Sequence, residues 1–303
     1  MNKKYTLGVD IGGSHISCIA MDMTTHTLVK DSFKREHLSH TDTAQNIFKS
    51  WAKAINECMQ VVGIENVSGL GFAIPGPFNY KDGISLMQHK YPSLYNLHIP
   101  TQLQPFLLTP LPMRFLNDAS AFAVGVSWID KAKGFDNVVV ITLGTGFGSA
   151  YIQDGVPVVT GEKVAPEGCF WHLPFKEGIA DEYFSTRWFV SAFEQKTGKS
   201  IKGVKELIQT SFRDELFDEF ATNLGSFLAP WLKKFDANIL VLGGNISLAY
   251  AYFEEKLNQT LQTNNINIPI VVSSLMEEAA MVGASRLFEK SFWQKISKNL
   301  PNV

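Results

Sequence analysis

The sequence predicts an α/β protein built from two related lobes, and three observations lead there. An apolar strand, a glycine turn and a second strand open the chain at Tyr5–Val9, Gly12-Gly13 and His15–Met21. The same order returns at Asn137–Leu143, Gly144–Gly148 and Ser149–Gln153, the mark of a duplicated core. After each hairpin, apolar strands alternate with amphipathic helices, and 303 residues are enough to bury two cores.

Thr27–Phe33 reads as a third strand, so the opening is an antiparallel meander. Asp42 and Gln45 predict a capping box. Behind them Ala44, Ile47, Phe48, Trp51, Ile55, Cys58, Met59 and Val62 recur at helical spacing, which puts Cys58 in the core, and Gly63 is the stop. Val67–Ile74 is an apolar strand. The stretch 78–112, rich in Pro, Tyr, His and Asn, predicts loops and short elements beside a binding cleft. Met113–Leu116 is a short strand ending at Asn117-Asp118, and Ala119–Val126 starts a helix whose Ala121, Ala123 and Gly125 permit close packing.

In the second half a helix carries Phe212, Leu216, Phe217, Phe220, Leu224, Leu228, Trp231 and Phe235. Strands follow at Ile239–Leu242 and Ile268–Ser273, and a helix at Met276–Phe288. A terminal helix from Ser291 is expected to return to the first lobe. The expected boundaries are a first domain at 1–119, completed by 290–303, and a second at 120–289.

Composition excludes several function classes. The chain is 45% hydrophobic and 18% charged, which is globular rather than disordered. Its 27 basic and 29 acidic side chains leave a net charge of -2, so nothing global points to nucleic acid as a partner. Cys18, Cys58 and Cys169 are few and far apart, which fits a reducing, cytoplasmic compartment. No segment approaches the roughly 20 uninterrupted apolar residues of a membrane span.

The strand ends carry the candidate chemistry. Gly12, Gly13 and Ser14 in the first turn, and Gly144, Thr145 and Gly146 in the second, offer backbone N–H groups that can face a phosphate. Asp10 adds a carboxylate able to hold Mg²⁺. Gly243-Gly244 supplies a third bare strand end, against which a purine or ribose could lie. Three such ends together favour nucleotide binding. The dinucleotide alternative fails on Ser149, which stands where its third glycine belongs, and on the strand that continues there; no Walker A sequence occurs.

Asp118 is the candidate general base for a hydroxyl attacking phosphorus, with an N-cap as its competing reading. Asn117 could bind a hydroxyl or complete the turn. Glu167 and Glu182 are candidate sugar-hydroxyl acceptors. Cys169 and His172 have a C-x-x-H spacing, but no second pair follows to complete a tetrahedral metal site. His15 reads as a packed strand residue.

At these residues the chain resembles the ROK family of the sugar kinase/Hsp70/actin superfamily. Val9-Asp10-Ile11-Gly12-Gly13-Ser14, Ile74-Pro75-Gly76-Pro77, Asn117-Asp118-Ala119-Ser120-Ala121, Leu143-Gly144-Thr145-Gly146-Phe147-Gly148 and Leu242-Gly243-Gly244 follow the family's motifs in order. The resemblance implies two ribonuclease-H-like domains of the actin-like ATPase fold, hinged around a cleft. ATP would be held mainly by the second domain and a hexose near the junction, with Asp118 as base, Asn117, Glu167 and Glu182 as sugar ligands, and a homodimer plausible. Glucose is favoured over mannose, fructose and N-acetylated amino sugars.

Two departures stand out. Phe170 occupies the family's histidine position three residues after the first glutamate, with His172 two further on. The cysteine-rich zinc motif is missing, so no structural zinc is expected. A hairpin beginning by residue 5 leaves no room for the helix-turn-helix of family repressors, which disfavours a DNA-binding regulator. The alternatives are a catalytically weak sugar-binding regulator or scaffold of the same fold, and an actin-like structural ATPase.

Overall fold

The computed structural model describes residues 3–88, 90–298 and 300. The chain forms two compact units, one running to Ile129 and resuming at Glu277, the other spanning Asp130–Met276. Both differ from the expected boundaries at 119/120 and 289/290, because two helices assigned by sequence to the second lobe group with the first unit.

The first unit is a five-stranded mixed sheet. β1 (Tyr5–Ile11), β2 (His15–Asp22) and β3 (Thr27–His37) form the expected meander, and β4 (Val67–Ile74) and β7 (Met113–Asn117) extend it in parallel, in the order β3-β2-β1-β4-β7. Helix α1 (Ala44–Val62) buries Ile47, Phe48, Trp51, Ile55, Cys58 and Met59. Its cap is Thr43, not Asp42. Thr43 has extended backbone and its hydroxyl accepts from Asn46 N at 3.3 Å, while Asp42 accepts from Thr43 N at 2.7 Å and from Asn46 Nδ2 at 3.0 Å.

The stretch after β4 holds the hairpin β5 (Phe78–Asn79) and β6 (Ile84–Ser85), helix α2 (Ile99–Leu103) and single 3₁₀ turns, as its composition suggested.

Helix α3 (Asp118–Ile129) crosses α9 (Glu278–Arg286) with almost no room between backbones. A Cβ on Gly283 would lie 1.8 Å from Ala121 O, and one on Gly125 2.1 Å from Ala279 O. This contact is what draws both helices into the first unit. The terminal helix α10 (Lys290–Ile296) returns to the same unit, where the Arg114 guanidinium lies 4.6 Å from the Phe288 ring centre and 4.0 Å from that of Trp293. Positions 299 and 301–303 of the expected helix fall outside the described residues.

The second unit repeats the sheet order. β8 (Asn137–Leu143), β9 (Phe147–Gln153) and β10 (Val156–Pro157) are antiparallel, and β13 (Ile239–Gly243) and β14 (Ile270–Val272) continue in parallel, giving β10-β9-β8-β13-β14. Between β10 and β13 lie the hairpin β11 (Pro174–Phe175) and β12 (Gly178–Ile179), then α4 (Ala180–Tyr183), α5 (Thr186–Thr197), α6 (Val204–Leu207) and α7 (Arg213–Phe235). Helix α8 (Glu254–Thr263) precedes β14.

The unit's core is aromatic. Phe147, Tyr151, Phe170, Phe184, Phe227 and Phe235 are all buried together, with Phe170 meeting Tyr151, Phe147 and Phe227 at ring distances of 5.3, 6.2 and 5.7 Å. No helix among the described residues is long and apolar enough to cross a membrane.

Candidate active site

Strand register places the chemistry of the first unit. Asp10 pairs with Ala73 on β4, and Ala73 with Leu116 on β7, so Asp10 and Asn117-Asp118 end parallel strands on the same edge. With strands 4.7–4.9 Å apart, their backbones stand about 9.6 Å from one another. Burial, and next to it the negative charge of Asp118, push the Asp10 carboxyl up to about 7, against a smaller opposing pull from Arg35. Arg35 itself is held by Ser17 Oγ at 2.9 Å and Glu277 Oε2 at 2.8 Å. Asp10 has no ion pair of its own among the described residues.

The helix α3 is capped by Asn117, whose Oδ1 accepts from Ser120 N at 3.1 Å. That frees Asp118 from capping. Its Oδ1 accepts from Asn117 Nδ2 at 3.0 Å and Ala119 N at 2.8 Å, while Oδ2 has no hydrogen-bond partner among the described residues. Tyr80 supports the pair from behind, donating to Ile74 O at 3.1 Å, with Asn117 Nδ2 at 3.4 Å from its oxygen.

The stretch 78–112 also supplies Tyr91, fully buried, whose hydroxyl donates to Gly12 O. Sequence reasoning placed this stretch near a site without naming either tyrosine; their phenols raise no signal until the fold aims them. Burial raises both phenols, Tyr80 with help from Asp118 and Tyr91 with help from Asp10.

The first turn is tight, with Gly12 N donating to His15 O at 2.9 Å, and Gly13 and Ser14 exposed at its tip. His15 is a partly buried strand residue beside Gly12, its proton affinity lowered by burial and then by Arg35.

The second unit gathers its own turns in the same way. Thr142 pairs with Gly243, so Gly144 and Gly244 emerge side by side at one sheet edge. Gly244 must be glycine: its φ is +79°, and a Cβ would lie 2.4 Å from Leu143 O. Gly144 donates to Gly146 O at 3.1 Å, and its carbonyl accepts from Thr186 N at 2.8 Å and Thr186 Oγ1 at 2.9 Å. Thr145 and Gly146 are exposed.

Asp181 was not singled out by sequence, yet its Oδ1 accepts from Phe147 N at 2.7 Å and its other oxygen pairs with Arg187. The adjacent Glu182, which was singled out, turns back to accept from Ile179 N at 3.0 Å. Neighbouring positions on one helical turn point differently, and spacing alone could not choose between them.

Glu167 is exposed and its backbone is left-handed (φ 59°), followed by Gly168 at φ 65°. This double turn folds Glu167 back toward Cys169 and His172, whose Sγ and Nδ1 are 3.7 Å apart. Phe170 fills the aromatic core between them and donates its N–H to Ser149 Oγ at 2.7 Å. Burial, then the Glu167 charge, raise the Cys169 thiol to about 11.

Two mixed sheets of matching strand order, each collecting polar strand ends at one edge, give an α/β fold of two related units. The chain belongs to the ROK family, whose profile matches residues 6–291. A glucokinase of Thermotoga maritima is 22% identical, with 96% of this chain and 99% of that protein covered. An N-acetyl-D-glucosamine kinase of Photobacterium profundum is 24% identical over 82% of this chain and 86% of its own.

A solved ROK glucokinase of Streptomyces griseus, in complex with glucose and AMPPNP, superposes with a TM-score of 0.73 at 22% identity, covering 93% of this chain and 98% of that one. A ROK transcriptional regulator, a homolog of the E. coli MLC protein, superposes at 0.76 with 17% identity, covering 97% and 81%. Family and fold class the chain with the ATP-dependent sugar kinases.

Proposed function

We propose that this protein transfers the terminal phosphoryl group of ATP to a hydroxyl of a hexose, glucose in the first instance, with Asp118 as general base. The observation that carries the reading is the divided carboxylate of Asp118. Oδ1 is fixed by two amide donors, and Oδ2 is left to take the proton of the attacking hydroxyl. Asn117, beside it, and Glu167 are the proposed sugar ligands. The second acid of the sugar site is drawn from Asp181 and Glu182, of which Asp181, reaching the Gly144–Phe147 turn, is the stronger.

The turns support the nucleotide half. Gly13 and Gly144 have no left-handed backbone, and a Cβ on either would meet nothing within 4 Å. The folded chain therefore does not itself require glycine there, whereas phosphate lying against the backbone would. Gly12 and Ser14, Thr145 and Gly146, and Gly243 with Gly244 complete the proposed nucleotide contacts. Asp10 suits Mg²⁺, because a desolvated carboxylate facing a second carboxylate is relieved by a hard cation. When bound, the ion would neutralise phosphate charge. The repeated strand order supports reading both units as ribonuclease-H-like, and the same reading includes a cytoplasmic homodimer that does not bind nucleic acid.

A sugar-sensing regulator of this fold is the second reading, favoured by the regulator's superposition. A coupled ADP-release assay across glucose, mannose, fructose and N-acetylglucosamine separates the two. Sugar-dependent turnover that falls about 10²-fold or more in Asp118→Asn supports the kinase. Sugar binding without turnover, or full activity in the variant, overturns it.

A further inference from the structure

Tyr91 is a buried polar side chain to which the kinase reading gives no task. Its backbone is left-handed (φ 53°), a conformation that a bulky residue keeps only where its surroundings over-determine it. Leu94 N donates to Tyr91 O at 2.9 Å, and Ser93 Oγ donates to Asp42 O at 2.7 Å just before α1. The Tyr91 ring stands edge-on to that of Trp51 on α1, with 6.1 Å between centres. So placed, the phenol reaches across 79 residues of sequence to donate to Gly12 O in the first glycine turn. Packing alone does not call for that hydroxyl, since phenylalanine would fill the same space with no polar atom to satisfy.

The bond fixes a peptide plane. Gly12–Gly13 is trans, so the Gly12 carbonyl and the Gly13 N–H point in opposite directions. With the carbonyl drawn toward the buried phenol, the N–H is turned toward the exposed tip of the turn. There it has no hydrogen-bond partner among the described residues. Gly12 N already donates to His15 O, so the preceding peptide is secured by the sheet. A peptide between two glycines is otherwise free to rotate, because neither residue restricts it sterically.

We propose that Tyr91 is the positioning residue of the first turn: its hydroxyl holds the Gly12 carbonyl so that the Gly13 N–H faces a phosphate oxygen of ATP. This rests on the nucleotide reading of that turn and adds the residue that organises it before the ligand arrives, so that no reorganisation is left to the binding step. Burial, and then the Asp10 charge, hold the phenol's proton more tightly than usual, so Tyr91 stays a donor throughout the working pH range.

Tyr91→Phe keeps the ring and removes only the hydroxyl. Calorimetry should show ATP binding weakened about tenfold, the equivalent of one charge-assisted contact. The thermal midpoint should fall by no more than about 2–4 °C. In the coupled ADP-release assay the KM for ATP should rise by the same factor and the KM for glucose stay unchanged, a split that general loosening of the unit would not produce. Gly12-Gly13 and Gly243-Gly244 are the two Gly-Gly steps of the chain, so glycine labelled at both its carbonyl carbon and its nitrogen gives two coupled carbonyl–amide pairs in an NMR spectrum. The substitution should move the Gly12-Gly13 pair and leave Gly243-Gly244 in place, and ATP should shift the Gly13 amide of the wild-type chain. If ATP shifts that amide but binds Tyr91→Phe equally well, or if both KM values rise together, the positioning role is overturned and the nucleotide reading stands. If ATP leaves the wild-type Gly13 amide unmoved, the nucleotide reading of this turn fails, and the inference with it.

Discussion

Asp10 and Asp118 close two parallel strands of one sheet, separated by a single intervening strand, and the charge of Asp118 adds to burial in raising the proton affinity of Asp10. The fold therefore brings two carboxylates to one sheet edge, and the pull of Arg35 on Asp10 is smaller than burial and the Asp118 charge that oppose it.

This relationship predicts a pH-dependent cost. A free carboxyl titrates near 4, whereas folded Asp10 titrates at about 7. The folded state binds the extra proton across that window, so stability falls as pH rises through it, and the penalty is complete above pH about 7. Asp10→Asn should raise the thermal midpoint at pH 8, by up to about 4 kcal/mol in stability, and change it little at pH 4. An equal effect at both pH values would contradict the assignment.

Gly144→Ala separates the needs of the fold from those of the ligand. The position is open and its backbone conformation is available to alanine, so the unfolded-state entropy argument predicts a gain of about 0.4–1 kcal/mol. If phosphate approaches this backbone, the same change should raise the KM for ATP about tenfold, the equivalent of one charge-assisted contact. Chemical denaturation and steady-state kinetics on one variant read both.

Gly283→Ala should do the opposite. Its new methyl would meet the Ala121 carbonyl, a backbone atom that cannot rotate away, so α3 and α9 must separate. A loss of about 1–3 kcal/mol is expected from such overpacking, measured by urea unfolding. Because α3 begins at Asp118, turnover should fall as well.

Asp181 and Glu182 can be ranked by parallel truncation. Asp181→Ala leaves Phe147 N without its acceptor and Arg187 without its partner. About 1–3 kcal/mol lost at the turn corresponds to roughly 5- to 160-fold in kcat/KM. Glu182→Ala removes a bond only to its own helix start, and a smaller effect is expected in the same assay.

The sequence by itself determined the two hairpins, the strands Val67–Ile74 and Asn137–Leu143 to the residue, the stripe of α1 and the short-element character of 78–112, because these follow from local periodicity and from glycine at chain reversals. Only the tertiary structure decided that α3 and α9 belong to one unit. Nothing local records that Gly125 and Gly283 meet each other's helix, a contact between residues far apart in the chain.

Tertiary structure likewise chose Thr43 over Asp42 as cap, assigned capping of α3 to Asn117 and so left Asp118 an unpaired oxygen, and turned Asp181 instead of Glu182 toward the glycine turn. It also carried Glu167 back to Cys169 and His172. In the first three cases adjacent residues are told apart by the direction in which each side chain leaves the backbone, and in the last a left-handed turn at Glu167-Gly168 brings residues five apart together. That direction is set by what the rest of the fold buries, with Phe170 held in the aromatic core as the clearest example.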